Sequence, residues 1–418
     1  MEQRARSTAT LLLCSLALCV NPIAAEPFGW PQWRGPQRSG LSNEDGLLQA
    51  WPEGGPKLIW LFRDAGLGYS SNAVVGSRLY TMGAREDAEY VIAVGIEDGR
   101  EVWSTKIGQL FTNGWGNGPR STPTIDDGRV YVLGGAGAIA CLRATDGKPL
   151  WQRTMADFGG ITPGWGYVES LLVDDERVVL TPGGPKGAIV ALNKDTGALL
   201  WQSKEFTDAA HYSSIIAVVN HGVSQYIQRT MESIAGVSAV GQLLWQAEFP
   251  GRTAVIPTPI YRDGRVYVSA GYGAGCVLLE IDSRQKASQV YANKVMKNHH
   301  GGVVLVGDHI YGYSDGYGWT CQDFGSGELV WNEKEALGKG SIAYADGRLY
   351  CLAETGDIAL VEATPKSYVE HGRFRLDPQT QLRHPRGAIW SHPVVADGKL
   401  YLRDQELLMA YDITASGK

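Results

Sequence analysis

Six side chains scattered along the sequence could do chemistry if the fold brought them together: Arg120, Glu169, His299, His300, Lys339 and His392. Arg120, His300, Lys339 and His392 would supply cations or hydrogen-bond donors, Glu169 a lone carboxylate, and Tyr69, Tyr212 and Trp390 flat walls. Such a set suits a small planar acidic ligand, with Arg120 as its anchor. The competing expectation is a network of ion pairs that merely plugs a channel, because structural networks also gather charged groups. Adjacent histidines on a strand point to opposite faces, and no carboxylate triad accompanies His299 and His300, so no metal site is assigned. No Gly-x-Ser-x-Gly elbow or glycosidase acid pair is present. The Gly-rich stretches at 134–137, 182–185 and 271–275 open no helix and read as hairpin linkers. No residue is assigned a catalytic role.

Residues so far apart can converge only if the chain repeats. Pro123-Thr-Ile-Asp-Asp-Gly-Arg-Val-Tyr-Val132 returns as Pro259 to Val268 and as Pro393 to Leu402. Weaker copies run through Leu79-Tyr80, Val178-Val179, Gln225-Tyr226, Ile310-Tyr311 and Leu349-Tyr350. Each is two short β-branched or aromatic runs around a Gly-containing turn, the signal of a β-hairpin. Eight hairpins at intervals of roughly 40–50 residues indicate propeller blades. Each repeat continues with a glycine followed four residues later by tryptophan: Gly99 to Trp103, Gly147 to Trp151, Gly197 to Trp201, Gly241 to Trp245 and Gly327 to Trp331. The tryptophan anchors an outer strand against the neighbouring blade. Tyr291 and Phe374 replace it in blades five and seven, whose packing should be looser.

Trp60 is an anchor without a hairpin before it, and the last repeat stops near Ile413, after its third strand. The expectation is therefore an all-β, eight-bladed β-propeller of four-stranded antiparallel blades, its ring closed by an N-terminal outer strand that hides the exposed edges. Ten residues before the hairpin residue that precedes each tyrosine stand Tyr69, Arg120, Val168, Ile256, His300, Lys339 and Trp390, with Tyr212 matching in blade four. Two residues later come Ser71, Thr122, Ser170, Ser214, Thr258 and Ser341, broken by Gly302 and His392. These positions should rim one end of the central channel, and the small hydroxyls read as structural.

Arg4 and Arg6, an apolar run from Leu11 to Val20 and the small residues ending at Ala25 form a secretory signal, too short to span a bilayer. Cys19 follows a bulky Leu18, which spoils a lipoprotein box. The expected layout is a signal peptide at 1–25, an N-terminal arm at 26–55 and the propeller at 56–418, exported to the periplasm or cell envelope. Residues 1–25 hold two basic and one acidic residue, so their removal takes the net charge from −6 to −7. No basic stripe invites nucleic acid. Cys141, Cys276, Cys321 and Cys351 are isolated, without metal or haem spacing, and read as buried free thiols.

The stretch Gly137-Ala-Ile-Ala-Cys-Leu-Arg-Ala-Thr-Asp-Gly-Lys-Pro-Leu-Trp151, with its copies Gly187 to Trp201 and Gly318 to Trp331, resembles the repeat of pyrroloquinoline-quinone (PQQ) enzymes and of BamB-type outer-membrane assembly propellers. Pro31-Gln-Trp-Arg-Gly-Pro36, Trp115 to Pro123 and Asn298-His-His-Gly-Gly302 are similar to a group of exported PQQ-like propellers. The resemblance implies a PQQ-like fold over the whole mature chain. The adjacent-cysteine ring, haem motif, calcium ligands and catalytic aspartate of the dehydrogenases have no counterpart here. That favours a non-catalytic binding or scaffold protein with an envelope protein as partner, which would use a blade face or exposed loop, by strand addition or by the aromatic loops around Trp115 and Trp165. The alternative is a PQQ-dependent oxidoreductase of the alcohol dehydrogenase kind, using PQQ with calcium on the channel face. Small-molecule hydrolysis in the channel is a further alternative.

Overall fold

A computed structural model describes residues 29–415. The expected signal sequence and Cys19 lie outside them. Eight four-stranded antiparallel sheets follow one another along the chain. Blade 1 consists of Ala73–Val75, Arg78–Arg85, Ala88–Gly95 and Glu101–Gln109, and blades 2 to 7 repeat this order. Blade 8 takes Val394–Ala396, Lys399–Asp404 and Leu407–Asp412 from the C-terminal end and Lys57–Phe62 from the N-terminal end. Lys57 pairs with Asp412 and Phe62 with Leu408, so the ring closes as the leftover Trp60 implied.

The core lies between blades. One apolar cluster joins Tyr131, Cys141 and Trp151 of blade 2 to Val178, Leu180 and Leu192 of blade 3. A buried tryptophan flank contributes on the order of 2–3 kcal/mol by area. The repeat's glycine and tryptophan belong to one contact. The Trp103 indole of blade 1 donates to the Ala144 carbonyl of blade 2 at 3.0 Å, while its ring lies where a Cβ on Gly147 would stand, 2.4 Å away. Gly147 also has a φ of +72°. Trp60, Trp151, Trp201 and Trp331 donate to Ile96, Lys194, Ala239 and Thr364 in the same manner. Tyr291 keeps the contact, donating its hydroxyl to Phe324 O at 3.0 Å, so its blade is no looser there. Phe374 has no donor; it packs edge-on to Trp51.

The N-terminal arm crosses the channel, touching blade after blade. Trp30 bridges Val74 of blade 1, and Pro31 O accepts from Ile125 of blade 2. Arg38 donates to Ser170 O and Leu171 O beside blade 3, and Trp33 to Thr258 Oγ1 before blade 5. Arg34 reaches Val303 O in blade 6, Ser42 bonds Tyr344 in blade 7, and Glu44 accepts from Asp397 and Gly398 in blade 8. All four cysteines at 141, 276, 321 and 351 are buried and free. Burial pushes the Cys141 thiol up to about 12 and Cys321 to about 11. Among the described residues no helix is long and apolar enough to cross a membrane.

Candidate functional site at the channel mouth

The loops that enter each blade's first strand meet at one end of the channel around a pocket of about 900 Å³, measured out to its open mouth. Tyr69, Arg120, Val168, Tyr212, Ile256, His300 and Trp390, one from each of seven blades, line it as their common register requires. His392 and Trp33 stand at its inner end, their rings 4.6 Å apart and edge-on. The pocket is thus blind, floored by the arm.

The eighth rim residue, Lys339, does not line the pocket. Its ammonium is 2.7 Å from Asp315 Oδ1 and donates to His299 Nδ1 at 2.8 Å. Glu169 does not meet the cations either, a correction to the expected cluster. It follows Val168 in the same loop, but its side chain is buried in the wall and does not face the mouth. There it accepts from the Thr181 amide at 2.8 Å and the Thr181 hydroxyl at 3.1 Å, with Arg38 as the nearby positive charge. Burial lifts its carboxyl to about 7. His299 and His300, expected to point apart, both line the pocket, their rings 5.2 Å from each other, because the segment between Asn293 and Val303 is not a strand.

The carboxylate that the imidazoles do find is Glu354, in the turn after the second strand of blade 7. Its Oε1 lies 2.7 Å from His300 Nε2 and accepts from the Trp390 indole at 2.9 Å. Burial opposes its ionisation, but the His300 hydrogen bond and charge, with Trp390 and Lys339, hold the carboxyl below its ordinary value. Burial, then the charges of His300 and Lys339, depress His299 to about 3. Burial and Arg34 push His392 well below the usual imidazole range. The Nδ1 atoms of His300 and His392 are buried without a hydrogen-bond partner. Asp315 and Tyr272 sit in the corresponding turns of blades 6 and 5, so these turns reach the same face as the rim loops. Glu354 was not singled out in the sequence, since the repeat aligns strands and says nothing of which turn residue leans inward.

Arg120 is partly spent on its own loop. Its two terminal nitrogens donate to Gly118 O and Gly116 O, each at 2.8 Å, and its guanidinium lies 5.3 Å from the Tyr69 and Phe111 ring centres. Among the described residues no carboxylate hydrogen-bonds it, and the buried Glu89 acts on it only through its charge. Two Gly-Trp-Gly loops complete the wall. Trp115 meets Trp165 edge-on at 6.4 Å, and Trp165 stacks on Tyr212 at 5.2 Å and 17°. The hydroxyl series joins blades: His392 N donates to Ser71 Oγ at 2.7 Å, Thr122 N to Ser170 Oγ at 2.9 Å and Ser170 N to Ser214 Oγ at 3.0 Å.

Residues 87–333 match the family described as outer membrane protein assembly factor BamB. Among curated proteins, BamB of Shigella dysenteriae serotype 1 is 24% identical over 326 residues, covering 73% of this chain and 76% of its own. BamB of Escherichia coli K12 is 31% identical over 106 residues, covering 24% of this chain and 25% of its own. Among solved structures, BamB from Moraxella catarrhalis superposes with a TM-score of 0.62 at 13% identity, covering 86% of this chain and 98% of its own. The quinohemoprotein alcohol dehydrogenase of Comamonas testosteroni gives 0.64 at 11%, covering 93% and 81%. At such identities the structural likeness speaks for the fold alone.

Proposed function

We infer the role from kinship and geometry together: the chain belongs to the family of outer membrane protein assembly factor BamB, and it is a non-catalytic binding scaffold of the cell envelope. Its work is to hold an envelope protein, and the relatives' name points to the assembly of outer membrane proteins as the process it serves. The observation that carries this reading is the blind aromatic mouth, to which seven blades contribute one residue each around polar groups largely bonded to one another. Such a mouth binds and orients; the amine that stands beside an imidazole, Lys339 at His299, does not line the pocket and is held by Asp315.

The quinoprotein alternative asks more of the same wall. A calcium-bridged quinone needs several carboxylate oxygens around the ion and cations for the quinone's own carboxylates. Glu354 is held by His300 and Trp390, and Asp315 by Lys339. Among the described residues no group of three or more His, Cys, Asp or Glu side chains is placed to hold a metal ion. The donor set does not fit PQQ with calcium, and no redox step is derived from it. A small planar acidic ligand is the second reading, because Arg120 lines the pocket and no carboxylate hydrogen-bonds it among the described residues.

Photo-crosslinking in intact envelopes tests the scaffold. A photoreactive residue at Ile161, on the mouth face, and another at Asp195, on the opposite face, should between them capture a discrete envelope protein. The purified chain with added PQQ and calcium should reduce no dye with simple alcohols. Turnover in that assay, or no adduct from either face, would overturn the reading.

A further inference from the structure

The mouth is more than a pocket. The loops that wall it also carry large apolar side chains in solvent: Trp115 is 43% exposed, Ile161 79% and Leu382 58%. A ligand sunk in the cavity would leave these uncovered, whereas a protein segment laid across the mouth would cover them. The Gly-Trp-Gly loops hold this surface in shape. Tyr69 donates to Trp115 O at 2.7 Å, and Asn113 of one loop donates to Gly164 O of the other at 2.9 Å. A Cβ on Gly116 would stand 2.0 Å from the Tyr69 hydroxyl, so only glycine lets the loop pass.

Charge selects the kind of segment. Arg120 stands in the wall, the Arg386 guanidinium lies 5.9 Å from the Trp115 ring centre, and the Lys297 ammonium lies 4.9 Å from that of Tyr317. No carboxylate pairs with any of the three among the described residues. Arg386 and Lys297, resting on aromatic rings with no ion-pair partner among the described residues, leave their charge for an incoming anion, while Arg120 also feels the buried carboxylate of Glu89. The blind floor at Trp33 limits the depth of entry, and the stacked Trp165 and Tyr212 offer a flat face.

We propose that the channel mouth docks an acidic segment of a partner protein whose aromatic side chain enters the pocket and whose flanking carboxylates meet Arg386, Lys297 and Arg120. The proposal rests on the scaffold reading and names the partner's chemistry. It is distinct from strand addition, since the contact is made by side chains over loops.

The probe is a fluorescent five-residue peptide, amidated at its C-terminus, with phenylalanine between two acidic residues on each side. It should bind the whole mature chain, and lysine flanks or a central alanine should each weaken binding by about tenfold or more, equivalent to about 1.4 kcal/mol. Trp115→Ala should weaken the acidic peptide by about fivefold or more, and Arg386→Gln with Lys297→Gln should remove most of its preference over the lysine version. Trp115 and Arg386 are exposed and Lys297 is half-buried at the surface, so the fold should be retained, which the melting curve verifies. Equal binding of both peptides, or indifference to Trp115→Ala, overturns the proposal. So does free 4-hydroxyphenylacetate binding as tightly as the peptide, which would assign the pocket to a small acid. The envelope crosslinks keep the two failures apart, for an adduct from Asp195 alone leaves the scaffold standing while sinking this docking face.

Discussion

Glu169 is the residue whose chemistry the fold changes most. Its carboxyl, lifted by burial to about 7, takes up protons in the folded chain that the unfolded chain has already released. Below about pH 4.5 both states are protonated and nothing is lost. As pH rises from there to 7 the unfolded state binds fewer protons, so stability falls, by on the order of 3 kcal/mol in all. Glu169→Gln should keep the bond from the Thr181 amide and erase that fall. Melting temperatures from pH 5 to 8 should therefore decline for the parent relative to the variant, and parallel curves would refute a buried neutral acid. The sequence marked Glu169 as polar and near the rim, which it is, but placed it on the wrong side. Val168 lines the pocket while its neighbour is buried in the wall. His299 and His300 share the pocket although they are neighbours, because the chain bends at 300–301. The partner of His300 was invisible because Glu354 lies 54 residues on in sequence, in a turn whose length the repeat does not fix.

At the scale of the element, the glycine and the tryptophan of each repeat were legible as separate signals, a turn and an anchor. At Trp60, Trp103, Trp151 and Trp201 the structure makes the tryptophan of one blade and the glycine of the next the two sides of one interblade joint. Trp103→Phe should lose the bond to Ala144 O and cost about 1 kcal/mol. Gly147→Ala should cost more, because its Cβ would stand 2.4 Å from Trp103 in a left-handed backbone, adding overpacking of about 1–3 kcal/mol to a conformational penalty of about 1 kcal/mol. Gly128→Ala isolates the second part: its φ is +70° and nothing lies within 4 Å of the added carbon. Urea midpoints for the three variants should rank Gly147→Ala as clearly the most damaging; equality of the two glycine changes would mean that the ring contact is unimportant. Blade 4 makes the joint to its neighbour differently. Its Trp245 has no glycine opposite, since the next blade offers Gln285 there with a φ of 61°. The indole donates instead to Gln225 Oε1 at 2.6 Å, and Gln225 Nε2 donates to Gln285 Oε1 at 2.9 Å. Two amides relay what one carbonyl does elsewhere.

For the whole molecule, closure was readable because an unpaired anchor and a missing strand have to find each other, and counting repeats exposes both. The arm was not readable in that way. It contains no repeat, and it binds mostly through backbone groups and two buried arginines, Arg34 and Arg38, that donate to carbonyls. Burial lowers both guanidinium groups to about 10, so their desolvation is a standing cost that the carbonyl bonds must offset. Arm and closing strand can be separated by where the chain begins. A chain starting at residue 56 keeps Lys57–Phe62 and so keeps the ring, but it loses the floor at Trp33 and every arm contact with the blades. It should stay soluble and melt cooperatively at a lower temperature. A chain starting at residue 66 also loses the pairing of Lys57 with Asp412 and of Phe62 with Leu408, leaving blade 8 one strand short. The Leu407–Asp412 edge is then bare and the Trp60 joint to Ile96 is gone, so cooperative melting and solubility should be lost together. Calorimetry of the two truncations decides the matter: two proteins that melt alike would mean that closure by the N-terminal strand does not hold the ring.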